Sequence, residues 1–258
     1  LQEEACPEMS KLAERWKKWG LVKALVYSVV GAISYPGLVL RNKLTISGME
    51  HLDHLPKRNV LFVSNHQTYF MDVIAFLHVF CALKWGRKNR LGFPWYLLSP
   101  YTNVHFVSAE ETITRDWITR MYALAGAIPV KRTWVQGGKE IRRGLDPSDT
   151  RKIERALDHS WVITFPQGTT KPYAPGRKGT AYIIKKNQPI VIPIVIGGFW
   201  RAFKKKGIGV RKPGTLLTIA FKEPLDLDYN DTTEHILDRI MEAIEQSPAY
   251  SNAHISPK

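Results

Sequence analysis

Short apolar runs alternate along this chain with longer stretches whose apolar positions recur at helical spacing. Asn59-Val-Leu-Phe-Val63, Asn103-Val-His-Phe-Val107, Ala127-Ile-Pro-Val130, Trp161 to Phe165 and Thr215 to Phe221 read as strands. Ile190 to Ile196 is strongly β-branched and suits a central strand. Helical patterns cover residues 10–35, Met71 to Leu83, Trp117 to Ala125 ending at Gly126, Thr150 to His159, Gly179 to Lys186 and Thr233 to Gln246. Ser148 or Asp149 is placed to cap the fourth of these. The alternation predicts an α/β fold: a mostly parallel mixed sheet flanked by helices. No internal repeat or low-complexity linker interrupts it, and the tail after Ser247 is expected to fray.

The N-terminal stretch stands apart. Lys11 to Lys23 is basic and contains Trp16, whereas Ala24 to Leu40 carries no charge and is interrupted by Pro36-Gly37. Roughly 20 apolar residues are needed to span a bilayer, so this stretch is short for a span. Its long basic region and lack of a small-residue cleavage site set it apart from a secretory signal. Tryptophan and lysine beside an apolar helix suit a segment lying in the interface. The division expected is therefore 1–45, a membrane-associating helical hairpin, and 46–250, an α/β catalytic domain, with the protein monotopic at the cytoplasmic face of the cell membrane.

Charge sharpens this picture. With 37 Lys and Arg against 23 Asp and Glu, the formal net charge is +14, which favours anionic partners such as nucleic acid, an anionic membrane face or phosphorylated small molecules. Aromatic residues from Trp85 to Tyr101 are interleaved with Lys84, Arg87, Lys88 and Arg90. That mixture suits stacking on single-stranded nucleic acid or a membrane interface. No nucleic-acid-binding motif accompanies it, so anionic membrane lipid is the expected partner and nucleic acid is not. Cys6 and Cys81 are too few for a disulfide framework, and no Cys/His cluster has zinc spacing, so no metal is expected.

The candidate chemistry lies at two strand exits. His66-Gln-Thr-Tyr-Phe-Met-Asp72 follows the Asn59–Val63 strand, and Phe165-Pro-Gln-Gly-Thr-Thr170 follows the Trp161 strand. A histidine with a carboxylate nearby is a base with a partner to orient it. Gly126-Ala-Ile-Pro-Val-Lys-Arg132 lies between the two corners, and Val191-Ile-Pro-Ile-Val195 follows them. In this order the four blocks resemble the glycerolipid acyltransferase family, in which the bacterial 1-acylglycerol-3-phosphate acyltransferase is best known. The resemblance covers roughly residues 40 to 225. It departs from the family pattern twice. Five residues rather than four separate His66 from Asp72; because six positions along one helix point to different faces, either His66 sits in the loop before the helix or a local bulge absorbs the extra residue. Gln167 and Thr170 stand where the family has Glu and Arg.

The resemblance implies direct transfer of a fatty acyl group from an acyl thioester, on acyl-CoA or acyl carrier protein, to the hydroxyl of a lyso-lipid, with no other cofactor. His66 is the base and Asp72 orients it, as the carboxylate does in a hydrolase triad. Lys131 and Arg132 stand at a position that in the family lies near the acceptor's phosphate. Gln167, Gly168 and Thr169 shape the acceptor side, and Lys171 stands one residue beyond Thr170, where it restores a positive charge. Loss of the family Arg opens the acceptor to head groups other than a phosphomonoester, such as an amino-acid lipid. A non-enzymatic basic membrane- or nucleic-acid-binding protein, with a structural His–Asp pair, is the competing reading.

Overall fold

The computed structural model describes residues 7–110, 124–131, 135–136, 139–140 and 147–253. In chain order the elements are α1 (Pro7–Tyr35), a π-helical turn (Pro36–Leu40), β1 (Lys43–Ser47), β2 (Val60–Ser64), α2 (Met71–Lys84), a 3-10 turn (Pro94–Leu98), β3 (Val104–Ala109) and β4 (Ala127–Val130). There follow β5 (Val135–Gln136), β6 (Lys139–Glu140), α3 (Pro147–Leu157), β7 (Trp161–Thr164), α4 (Lys178–Asn187), β8 (Ile190–Gly197), α5 (Phe199–Ala202), β9 (Leu216–Phe221), α6 (Thr233–Ala243) and α7 (Pro248–Ala253). The helix expected over 117–125 lies, except for its last two residues, outside the described residues.

A 7-stranded sheet with the order β1-β9-β8-β2-β7-β3-β4 organises the domain. Its pairs are parallel except β8 with β9, which run antiparallel. The sheet is covered on both faces, which is why β2 is buried at every position and reads as an unbroken apolar run. Val60 and Phe62 join one core with Ile163, Ile192, Ile194 and the residues of α1 and α2. Leu61 and Val63 join the other with Val162, Val191 and residues of α3, α4 and α6. Pro193 is tolerated inside β8 because it lies at the end of the antiparallel ladder with β9, where only its carbonyl is used, accepting the Lys222 N–H at 2.9 Å.

The N-terminal segment differs from the expected hairpin. It is one helix that passes into the π-helical turn, closed by the Arg41 N–H donating to Pro36 O at 2.8 Å. Pro36 has no N–H to continue the α-helical ladder, and the helix changes to π spacing from that residue on. The tail expected to fray instead forms α7 as far as Ala253.

Side-chain bonds run along α1 and tie it to the domain. Lys23 Nζ donates to Val104 O at 2.7 Å, and the Tyr27 hydroxyl donates to Ala125 O at 3.0 Å. Ser28 donates to Leu97 O, and the Tyr35 hydroxyl donates to Gly92 O at 2.6 Å. Ser34 meets His78 at 2.9 Å. Because Lys23 turns inward, the outward face of the helix holds Leu21, Leu25, Val29 and Ile33.

Candidate active site

β2 and β7 are parallel neighbours, with Val63 opposite Thr164, so both release the chain at the same edge of the sheet. The carboxyl edge is where open α/β sheets collect ligands. The chain leaves β2 through Asn65, whose side chain continues the ladder. Asn65 Nδ2 donates to Ile196 O at 2.9 Å, and its Oδ1 accepts from Ile196 N–H at 2.8 Å. Gln67 Nε2 donates to the same carbonyl at 3.0 Å, and Gln67 Oε1 accepts from Phe199 N–H at 2.9 Å. The loop carrying His66 is thus pinned to β8 on either side of the histidine.

His66 lies in that loop and Asp72 in the first turn of α2, which begins at Met71. The extra residue between them is taken up by the bend over 68–70. His66 Nδ1 stands 2.8 Å from Asp72 Oδ2. The same oxygen accepts the N–H groups of Gln67 at 2.5 Å and Thr68 at 3.0 Å. Asp72 Oδ1 accepts the Thr68 hydroxyl at 2.7 Å, and Thr68 Oγ1 in turn accepts the Asp72 N–H at 3.3 Å. Thr68 and Asp72 therefore cap the helix reciprocally, in the manner of a capping box. Asp72 is 0% exposed. A buried carboxylate is tolerable because donors meet both its oxygens, and they hold it as an acceptor fixed in orientation.

The second corner reaches the histidine through Phe165. Its ring stacks on the imidazole with centroids 4.2 Å apart and planes at 26°. With Nδ1 donating to Asp72 and one ring face covered, Nε2 is the free nitrogen, and no described residue takes it. The imidazole side chain is 13% exposed, so a reactant can approach it.

The remaining expected residues are distributed unevenly. Gln167 is buried and turned away from the histidine: Nε2 donates to Ala174 O at 3.0 Å and to Gln246 Oε1 at 3.2 Å. It shapes the corner from beneath. Gly168 has φ +61°, a left-handed conformation that favours glycine. A Cβ there would also stand 2.9 Å from Arg177 Nε. Thr169 and Thr170 are half-buried beside it, and Lys171 is exposed.

Lys131 follows β4, three strands from β2 on the same edge, a separation of roughly 14 Å at the usual strand spacing. Its N–H donates to Asp149 Oδ2 at 2.7 Å and its side chain is exposed. Arg132 lies outside the described residues. Arg177, the residue just before α4, has no part in the sequence-based assignment of the site. Its guanidinium lies across Gly168 because the Gln167–Ala174 bond folds the loop back, and Arg177 N–H donates to Pro166 O at 2.9 Å. The only sequence signal was a basic residue shortly after a glycine corner that lacks its own arginine.

An apolar cavity of about 230 Å³ lies between α1 and α2. Its lining includes Val30, Ile33, Gly207, Ile208, Tyr27 and Ala125, with Ile74 from the first turn of α2 and Cys81 about two turns further along that helix. His78 in its wall is neutral: burial lowers its pKa to about 4, and its nitrogens meet Ser34 Oγ at 2.9 Å and the Tyr96 hydroxyl at 2.8 Å. Burial pushes the Cys81 thiol up to about 12, so it is inert as a nucleophile at neutral pH. Among the described residues, no group of three or more His, Cys, Asp or Glu gathers to hold a metal ion.

The profile of a family described as Acyltransferase matches residues 43–197, more than half of the 258-residue chain. No curated protein sequence matches. Among solved structures, the 1-acyl-sn-glycerophosphate (LPA) acyltransferase PlsC from Thermotoga maritima is similar, with a TM-score of 0.54 and 17% identity, covering 95% of this chain and 84% of that one. That likeness shows a shared fold.

Proposed function

The chain belongs to the acyltransferase family, and from that premise we propose that it is a membrane-associated enzyme moving a fatty acyl group from a thioester to the hydroxyl of a lyso-lipid with an anionic head group. The observation that carries this reading is the His66–Asp72 pair, with Nδ1 tied to the buried carboxylate and Nε2 open. The acceptor hydroxyl gives its proton to His66 Nε2 as its oxygen attacks the thioester carbonyl. Asp72 offsets the charge of the resulting imidazolium. The tetrahedral intermediate collapses with cleavage of the C–S bond, and the departing thiolate takes the proton back from Nε2. Ester and thiol are the products, and no enzyme nucleophile is acylated.

Arg177 supports an anionic acceptor. A guanidinium matches a phosphate or carboxylate in geometry, and this one lies on the corner whose phenylalanine covers His66. The missing family arginine at Thr170 is then offset from another point of the loop. Purified protein supplied with acyl-CoA or acyl carrier protein thioester should acylate lyso-lipids bearing phosphate or another anion, and leave neutral monoacylglycerol nearly untouched. Arg177→Gln should raise KM for the anionic acceptor about tenfold with little change in kcat, the loss of one charge-assisted contact. Equal use of neutral and anionic acceptors would refute the head-group assignment.

The cavity between α1 and α2 supports an acyl slot that runs from near the α2 N-terminus toward Cys81. Cys81→Leu at the far end should cut kcat/KM for long-chain thioesters at least about tenfold while short-chain thioesters react as before, the usual effect of bulk added to an apolar pocket. An unchanged chain-length profile would place the acyl chain elsewhere.

Gly20–Leu40 is, among the described residues, the helix long and apolar enough to cross a membrane. Its side-chain bonds to the domain extend from Lys23 to Tyr35, so one face is held to protein along its length. This favours a helix lying on the membrane with its uncharged outer face in lipid.

A further inference from the structure

Between α2 and β3 the chain leaves four large apolar side chains in solvent: Trp85 at 43%, Phe93 at 61%, Trp95 at 55% and Leu98 at 75% exposure. Nothing in the transfer reaction uses them. They are also prevented from folding inward. Arg87 Nη1 donates to Leu91 O at 2.7 Å and to Phe93 O, and Lys84 Nζ donates to Ser99 O at 3.1 Å. Tyr96 and Leu97 are buried in the 3-10 turn, which directs Trp95 and Leu98 outward. The Phe93 and Trp95 rings pack against each other, with centroids 4.8 Å apart.

The position of this excursion says what covers it. It is bonded to α1 through Ser28 to Leu97 O and Tyr35 to Gly92 O, so it flanks the helix whose outer face shows Leu21, Leu25, Val29 and Ile33. The two elements meet at one cavity, which Val29 and Ile33 of α1 and Leu97 of the turn line together. Basic residues accompany the excursion: Arg90 and Lys88 are exposed, the latter paired with Asp53, and the Lys84 and Arg87 cations stay on the loop carbonyls named above. Tryptophan and phenylalanine beside basic residues match the boundary between acyl chains and anionic head groups.

We propose that the 85–101 excursion is a second membrane contact, in which Phe93, Trp95 and Leu98 insert into an anionic bilayer beside α1 while the neighbouring basic residues face its head groups. The proposal rests on the reading that α1 lies on the membrane. Two contacts on adjoining elements fix the tilt of the domain, which a single helix leaves free to roll. They turn the edge of the acyl slot, lined by Val29, Ile33 and Leu97, toward the lipid.

The test is co-sedimentation of the full chain with vesicles of phosphatidylcholine and phosphatidylglycerol at physiological salt. A Phe93→Ser/Trp95→Ser/Leu98→Ser variant should bind at least about tenfold more weakly, given the apolar area it removes. Its melting temperature should stay close to that of the parent, because the three side chains are exposed. Trp95→Phe should bind as the parent does. A Leu25→Ser/Ile33→Ser variant reports on α1 separately. If that variant loses binding while the triple variant binds as the parent does, the second contact is refuted and the α1 reading stands. If the parent itself does not sediment with vesicles, both fall.

Discussion

Replacing His66 with alanine is expected to lower acyl transfer by roughly a hundred- to ten-thousand-fold, the range over which a positioned acid–base group contributes. The loss should appear in kcat, with KM for both substrates nearly unchanged, because the imidazole acts on the proton in flight and binds neither the head group nor the acyl chain. The fold should persist. The loop stays pinned by Asn65 and Gln67 to Ile196, and Asp72 keeps its bonds from Gln67, from the Thr68 N–H and from the Thr68 hydroxyl. Circular dichroism and thermal melting would verify that. A variant retaining more than a tenth of parental kcat would remove His66 from the proton transfer.

The second large effect belongs to Asp72→Asn. The asparagine is nearly isosteric, and one arrangement suits the site. Its carbonyl takes the place of Oδ2, facing His66 Nδ1 and the N–H groups of Gln67 and Thr68, while its amide faces Thr68 Oγ1. The histidine then keeps its position but loses the negative charge that stabilises the imidazolium. We expect kcat to fall by about a hundred- to ten-thousand-fold and stability by about 1–3 kcal/mol from weakened charge-assisted bonds. Asp72→Ala should be much less stable than Asp72→Asn, since it strips the acceptor from donors already withdrawn from water. Single-turnover rates and urea melts on the two variants separate these effects. If Asp72→Asn transfers acyl groups at a rate close to the parent, the carboxylate is a helix cap without a catalytic role.

Much of the fold was legible because burial on both faces leaves a strong mark. β2 and β8 are unbroken apolar runs, and α2 is apolar almost throughout. β1 was not legible, since as an edge strand it buries only Ile46 fully and mixes exposed positions with that one. α5 was missed because four residues make no period. At the candidate site the order of the blocks brought both corners to one edge, and of the two arrangements that the six-residue step left open, a loop position for His66 or a local bulge, the structure has the loop. The direction of Gln167 was beyond local reasoning. It depends on Gln246, 79 residues away, and on a loop that returns to Ala174. Arg177 was hidden for the same reason, since its closeness to Gly168 is created by that returning loop. Lys23 misled in the opposite way: its charge seemed to bound the apolar stretch, whereas its inward turn lengthens the apolar face.

The bonds along α1 bear on how this protein is to be handled at the bench. A long apolar helix at the start of a chain is often trimmed away to obtain a tractable catalytic core. Here the same helix supplies Val26 and Tyr27 to the main core and one wall of the cavity beside α2. Cutting it off would bare a greasy face, strand the carbonyls of Val104 and Ala125, and leave His78 without its Ser34 partner. Preparation with α1 retained, rather than truncation, is the route this architecture dictates.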